Sequence, residues 1–390
     1  MIYFDNAATT KPCAEAIAAM TDALTVRWAN PSSVHAAGNT ANALLAEARR
    51  TVLRSLGIRR DTEGRIVFTG SGTEADNLAL IGTVYAKNRP VRGTSRGRIL
   101  ISEGEHAAIE QTAARLEADG FEICRIPTAD GELDFDYIEA HAEGVILISV
   151  MLVNNETGAL YDVKRAFDTV RRYSPDAVTH TDAVQGFMKI RFTPTALGAD
   201  LVSISAHKIG GPKGIGALYV SEPIVRAKKL IPTVTGGGQE SGFRSGTENV
   251  PGIAGFAAAC RVMAESFADR CTAIASLRAR LTEKLSATPE IRINVPKATA
   301  AHIVSVTMPG IRSETVLNDL SAKGICISAG SACSAHSAKK TSRALVAFGL
   351  TPEEADTTVR VSLSHENTAE EIDALAAALA DAAARLARKR

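Results

Sequence analysis

The chain has 390 residues, 45% of them hydrophobic and 22% charged, the balance of an ordinary soluble globular protein with room for one large domain and a smaller one. Lys and Arg number 44 against 43 Asp and Glu, a formal charge of +1. That near-cancellation leaves no electrostatic footprint for nucleic acid or an anionic membrane, so a small-molecule substrate becomes the default.

Taken in order, the N-terminal Met-Ile-Tyr-Phe-Asp-Asn has no basic stretch leading into an apolar one, and no secretory signal is expected. The strand-like Arg65–Thr69 leads to a helix after Thr73, and Arg98–Ser102 to another starting near His106. The longest apolar run, Val145 to Val153, is broken only by Ser149; it is too short for a bilayer and reads as a buried strand. A helix across Val163–Tyr173 follows, then strand-like Val178–Thr181 and Leu201–Ser205. Strands alternating with helices predict βαβ units and an α/β fold with a mainly parallel sheet.

Near Val250 the rhythm changes. Gly252 to about Ala287 is Ala-rich with helical spacing, one long helix or two in series. Beyond it come strand-like Ile303–Thr307, a helix near Glu314–Lys323, strand-like Ile325–Ser328 and Val359–Leu363, and a final amphipathic helix from Ala369 to Arg390. Residues from about 258 onward read as a second, α+β domain. Cysteines at 13, 124, 260, 271, 326 and 333 form no Cys-x-x-Cys pair, which predicts a reducing, cytoplasmic setting and argues against a zinc site.

Lys208 follows the strand Leu201–Ser205, where open α/β sheets bind ligands, and a glycine-rich run comes after it. A lysine amine there can form a Schiff base with an aldehyde cofactor. Asp182 closes a strand one βαβ-like step earlier, and pyridoxal phosphate needs a carboxylate against its pyridine nitrogen. Phe68-Thr69-Gly70-Ser71-Gly72-Thr73 runs from a strand through small residues into a helix, a cup of N–H groups for a phosphate. His106 opens a helix and could stack on a planar ring. Cys333 lies among small residues ahead of Lys339 and Lys340, a setting that suits a mobile, reactive thiolate, whereas isoleucine-flanked Cys326 reads as inert. Singly, each has a plain alternative: a surface lysine, a helix-capping aspartate, a tight βα turn, a structural histidine, a buried thiol.

Together these residues resemble the cysteine desulfurases of the NifS/IscS-type group, with the class V aminotransferase fold. The resemblance is carried by Tyr3-Phe4-Asp5-Asn6-Ala7-Ala8-Thr9-Thr10, Asn30-Pro31-Ser32-Ser33-Val34-His35, Asn154-Asn155-Glu156-Thr157-Gly158, Thr181-Asp182-Ala183-Val184-Gln185 and Ser205-Ala206-His207-Lys208, and then by Gly236-Gly237-Gly238-Gln239-Glu240, Arg244-Ser245-Gly246-Thr247-Glu248-Asn249 and Gly330-Ser331-Ala332-Cys333. It implies a large pyridoxal-phosphate domain over 16–257 with a mainly parallel mixed sheet. A small α+β domain of 1–15 and 258–390 would carry the cysteine loop, and two chains would pair as a homodimer. Lys208 would hold the cofactor and move the substrate's α-proton, Asp182 would pair the pyridinium, and His106 would stack on the ring. Gln185 and Asn155 would meet the ring's phenolic oxygen or the substrate. Gly72, Thr73, Ser205 and His207 would bind phosphate, joined by Thr247 from the second subunit. Arg360 would clamp the carboxylate of L-cysteine, and Cys333 would take its sulfur as a persulfide and pass it to an acceptor protein in iron–sulfur assembly or thiolation.

The chain departs from the family pattern at Thr69-Gly70-Ser71-Gly72, at Asn39-Thr40-Ala41-Asn42, at Ser364 and in the loop with His336, Lys339 and Lys340, which lacks the frequent Leu-Glu-Pro. The alternatives are a selenocysteine lyase or another class V enzyme, which need no sulfur-accepting cysteine, or a relay subunit that binds partners without turnover.

Overall fold

A computed structural model describes residues 1–60, 62–87, 97–330 and 341–386. The chain opens with β1 (Ile2–Tyr3), α1 (Ala14–Thr25) and α2 (Ala36–Ser55). The alternation follows: β2 (Gly64–Thr69), α3 (Gly72–Lys87), β3 (Arg98–Ser102), α4 (Ala107–Ala118), β4 (Glu122–Ile126), α5 (Phe135–His141), β5 (Val145–Ser149), α6 (Val163–Tyr173), β6 (Val178–Asp182), α7 (Pro194–Leu197) and β7 (Leu201–Ser205). Then β8 (Gly216–Ser221) and α8 (Glu222–Arg226) lead to α9 (Val250–Glu265) and α10 (Phe267–Ser286). The helical stretch after Val250 is thus two helices, broken at Ser266 where the backbone leaves the helical range (φ −128°, ψ 34°).

Among the described residues the main sheet has seven strands in the order β2-β8-β7-β6-β5-β3-β4. All neighbouring pairs are parallel except those of β8, which runs antiparallel to both β2 and β7. Strands such as Val-Ile-Leu-Ile-Ser and Leu-Val-Ser-Ile-Ser are apolar on both faces because helices cover both sides. Helix α6 shows how the covering works: Val163, Ala166, Phe167 and Val170 face inward, and Asp162 caps its start through the Arg165 amide.

The C-terminal part adds β9 (Arg292–Asn294), β10 (Ile303–Thr307), α11 (Ser313–Ala322), β11 (Ile325–Cys326), α12 (Arg343–Ala347), α13 (Pro352–Asp356), β12 (Thr358–Ser362) and α14 (Ala369–Leu386). Strands β12, β10 and β9 form an antiparallel sheet. The strand expected over Ile325–Ser328 is shorter: β11 pairs with β1 through Ile325 and Cys326, and Ser328 bridges to Arg360. Two cores result. Phe256, Ala259, Cys260 and Met263 of α9 join the large sheet's core, whereas Ile274, Leu281 and Leu285 of α10 join Val304, Val306, Val359, Val361 and Phe4. No helix among the described residues is long and apolar enough to cross a membrane.

Candidate active site

The site forms where β6 and β7 end. Asp182 is the last residue of β6, and Lys208 lies three residues beyond β7, on a short turn of 3-10 helix. The Lys208 Nζ donates to the carbonyls of Ala7 (2.5 Å) and Ala8 (2.8 Å). The N-terminal segment is therefore one wall of the site. Thr10 anchors it, its N–H and Oγ1 both donating to the His207 carbonyl (2.8 and 2.9 Å), and Gln185 Nε2 donates to the Ala7 carbonyl (2.8 Å).

One cavity is lined by Gly72, Thr73, His106, Asn155, Asp182, Gln185, Ser205, His207, Lys208 and Arg360, with Ala7, Ala8 and Asp76 between them. At its phosphate end, Ser71 turns the chain into α3, its Oγ accepting the Glu74 amide (3.1 Å). The N–H groups of Gly72 and Thr73 belong to the first helical turn, where no intrahelical acceptor exists. Tight packing fixes this turn. A Cβ on Gly72 would stand 2.9 Å from Val184 Cγ2, and one on Gly216, in β8, would stand 2.4 Å from the Ser71 carbonyl carbon. His106 is the N-cap of α4, its Nδ1 accepting the Ala108 amide (3.1 Å).

Electrostatics mark the interior. Burial raises the Asp182 carboxyl, opposed by His106, by the Val184 amide (2.8 Å from Oδ1) and by Lys208. Behind it, burial and the Asp182 charge push Asp76 well up, and burial does the same to Glu105. His180 is fully buried, bonded to Ser149 (2.8 Å) and Ser203 (3.0 Å), and burial lowers it to about 3. His207 is lowered to about 4, first by burial and then by Lys208, so a neutral imidazole faces the cavity. Arg360 is 3% exposed: Nη1 donates to the Asn155 carbonyl (2.9 Å), Nη2 meets Asp5 Oδ1 (2.8 Å), and Nε has no partner among the described residues.

This set fits pyridoxal phosphate. An amine, a helix N-terminus and a buried carboxyl whose charge is only partly compensated match the aldehyde, the phosphate and the ring nitrogen of one molecule. The orphaned Arg360 Nε offers a donor to a substrate carboxylate.

Thr247 lies elsewhere, in a separate cleft with Phe68, Gly70, Glu240 and Arg244, and does not line the cavity of its own chain. Arg244 ties that segment to Glu74 of α3 (2.8 Å). Cys333, with His336, Lys339 and Lys340, lies outside the described residues. Reading the sequence for reactive side chains passed over Asp76 and the carbonyls of Ala7 and Ala8. The opening motif was the available signal, since runs of small residues let backbone approach a ligand.

Residues 2–375 match the family described as Aminotransferase class-V, and the chain belongs to it. Its relatives there carry names of one group. It is 36% identical over 383 residues to a NifS/IcsS protein homolog of Lactobacillus delbrueckii subsp. bulgaricus, covering 97% of this chain and 96% of that one. It is also 36% identical to cysteine desulfurase IscS 1 of Archaeoglobus fulgidus, covering 96% and 95%. Among solved structures, a NifS-like protein from Rickettsia africae superposes with a TM-score of 0.85 at 31% identity over 98% of this chain and 99% of that one. SspA in complex with cysteine superposes at 0.79 and 31% identity, over 94% of this chain and all of that one.

Proposed function

We propose that the protein is a pyridoxal-phosphate-dependent cysteine desulfurase. The observation that carries this is the convergence of Lys208, Asp182 and the α3 N-terminus on one cavity, in a chain that matches desulfurases over nearly its whole length. When bound, the cofactor supplies an electron sink for charge developing on the substrate. Lys208 holds it and carries the α-proton; the Ala7 and Ala8 carbonyls keep the amine aimed into the cavity. Asp182 would pair the ring nitrogen and His106 would cover the ring. Gly72, Thr73, Ser205 and neutral His207 donate to the phosphate, and Gln185 and Asn155 border the ring oxygen and the substrate.

Arg360 receives the cysteine carboxylate through Nε while Asp5 and the Asn155 carbonyl hold its other nitrogens. The Cys333 thiolate then bonds to the substrate sulfur, the Cβ–S bond breaks, and a proton takes the electron pair left at Cβ. Alanine leaves, and the persulfide on Cys333 awaits an acceptor protein of iron–sulfur assembly or thiolation. The position of Thr247 outside its own chain's cavity supports a homodimer in which it reaches the partner's phosphate. Free cysteines at 13, 124, 260, 271 and 326 support a cytoplasmic setting. The two cores support two domains. Since Ala259, Cys260 and Met263 still pack in the large core, they favour a divide at the Ser266 break over one near 257/258. Of the segment 1–15, Phe4 joins the smaller core while Ala7 joins the large one.

The test is to give the purified, yellow holoenzyme L-cysteine and a thiol reductant, and to measure alanine and sulfide. Equal amounts of both are expected, and none from Lys208→Ala. A colourless protein that takes up no cofactor would refute the assignment.

A further inference from the structure

A second cavity shares only Lys208 with the first and is roomier, about 470 Å³ against about 170 Å³. That volume is within the range of small-molecule sites. Its buried lining is apolar (Met188, Met263, Ile274 and Leu363) except for Asn6, whose amide donates to the Ser362 carbonyl, and His302; Lys189 is half-buried beside them.

His302 is 3% exposed, and its Nε2 has no hydrogen-bond partner among the described residues. An orphaned polar atom at such depth is costly unless something pairs with it. Lys189 Nζ reaches only the Gln185 side-chain oxygen (3.3 Å). It meets no carboxylate among the described residues, and its charged neighbours are the cations Lys208 and Arg360. Burial, and then these two, lower it to about 7. Arg270, in the wall, bonds Ser266 Oγ (2.7 Å) and forms no ion pair among the described residues. Acidic groups occur only as exposed Glu15 and Glu366. A half-buried amine and a guanidinium without a carboxylate partner among the described residues, set around an apolar space, want one negative charge on a hydrocarbon body. Neutral His302, whose ring N–H meets the Gln185 backbone, leaves Nε2 as an acceptor. Acids on the exposed rim work against a dianion such as phosphate.

We propose that this cavity binds a small aliphatic carboxylate, its head toward Lys189 and Arg270 and its tail against Met188, Met263 and Ile274. The site is separate from Arg360 and needs no reaction of the ligand. Occupancy would be felt at the first cavity, because Lys189 holds Gln185, and Gln185 donates to the same Ala7 carbonyl that receives Lys208.

Calorimetric titration of the holoenzyme with butyrate and with its neutral isostere butyramide tests this. Butyrate should bind saturably and butyramide about tenfold or more weaker, the weight of one charge-assisted hydrogen bond. Lys189→Met should weaken butyrate by a similar factor with the visible cofactor band retained. Arg270→Gln, at a half-buried position where folding is not at stake, should weaken it several-fold. Arg360→Gln should leave butyrate binding intact. No saturable butyrate binding would overturn the proposal. So would binding that survives Lys189→Met but disappears in Arg360→Gln, since the carboxylate would then occupy the first cavity.

Discussion

Removing one side of the Arg360–Asp5 pair exposes how the substrate-binding arginine is held. Its guanidinium is 3% exposed and the Asp5 carboxylate 19%, so the pair is largely desolvated. Leaving one partner of such a pair alone costs about 3–5 kcal/mol, and the residual exposure of Asp5 favours the lower figure. Asp5→Asn should therefore destabilise by roughly 3 kcal/mol, because it strands the better-buried charge. Arg360→Met should cost as much and leave the Asn155 carbonyl without its donor. The double variant should cost clearly less than the sum, with a coupling of about 1–3 kcal/mol. Equilibrium urea unfolding at one fixed protein concentration gives all four values. Kinetics separate the roles: Arg360→Met should raise KM for cysteine by about ten- to a hundred-fold, the loss of a charged hydrogen bond. Asp5→Asn should lower kcat more than it raises KM, because it frees the fork without removing it. Additive unfolding energies within about 0.5 kcal/mol would refute the reasoning.

Cys333→Ala should keep the cofactor's colour and still bind cysteine but stop alanine release; near-normal alanine production would favour a selenocysteine lyase. Cys326→Ala should behave nearly as wild type in the same assay. Thr247→Ala should weaken cofactor retention, and mixing it with Lys208→Ala should restore only part of the activity through heterodimers with one intact site; a fully active monomer by light scattering excludes this. His180 binds its proton at about 3 when folded and at the ordinary 6.5 when unfolded, so the unfolded state holds the extra proton between these values. Stability should fall as pH drops below 6.5, by about 1.4 kcal/mol per unit from this residue. The stability–pH curve of His180→Gln should be shallower by one proton in that window, and parallel curves would show that the histidine is not buried neutral.

What could be read from the sequence was what is local. β5 and β7 are largely apolar runs and β6 is rich in β-branched residues, and Asp182 and Lys208 follow from the ends of β6 and β7. β4 was missed because Glu-Ile-Cys-Arg-Ile, at a sheet edge, is neither a continuous apolar run nor a clean alternation. β8 was missed because the chain returns from β7 through one 3-10 turn and glycines, with no α-helix to carry it across the sheet, which is why it runs antiparallel. The Arg360–Asp5 pair spans 355 positions and carries no periodic signal. Thr247 was singled out only by family resemblance, and its own cavity is not where it sits.

The two ends of the chain meet at the reaction site. Phe4 donates to the Cys326 carbonyl, Ser362 donates back to Phe4, and Asp5 bridges to Ser362. During synthesis the wall made by Ala7 and Ala8 is the first part of the site to leave the ribosome, and Arg360 is among the last. No truncated product ending before β12 can assemble a working cavity, however well its large sheet folds. The enzyme therefore carries its own check: a nascent chain that binds cofactor early cannot begin extracting sulfur until β12 has been made.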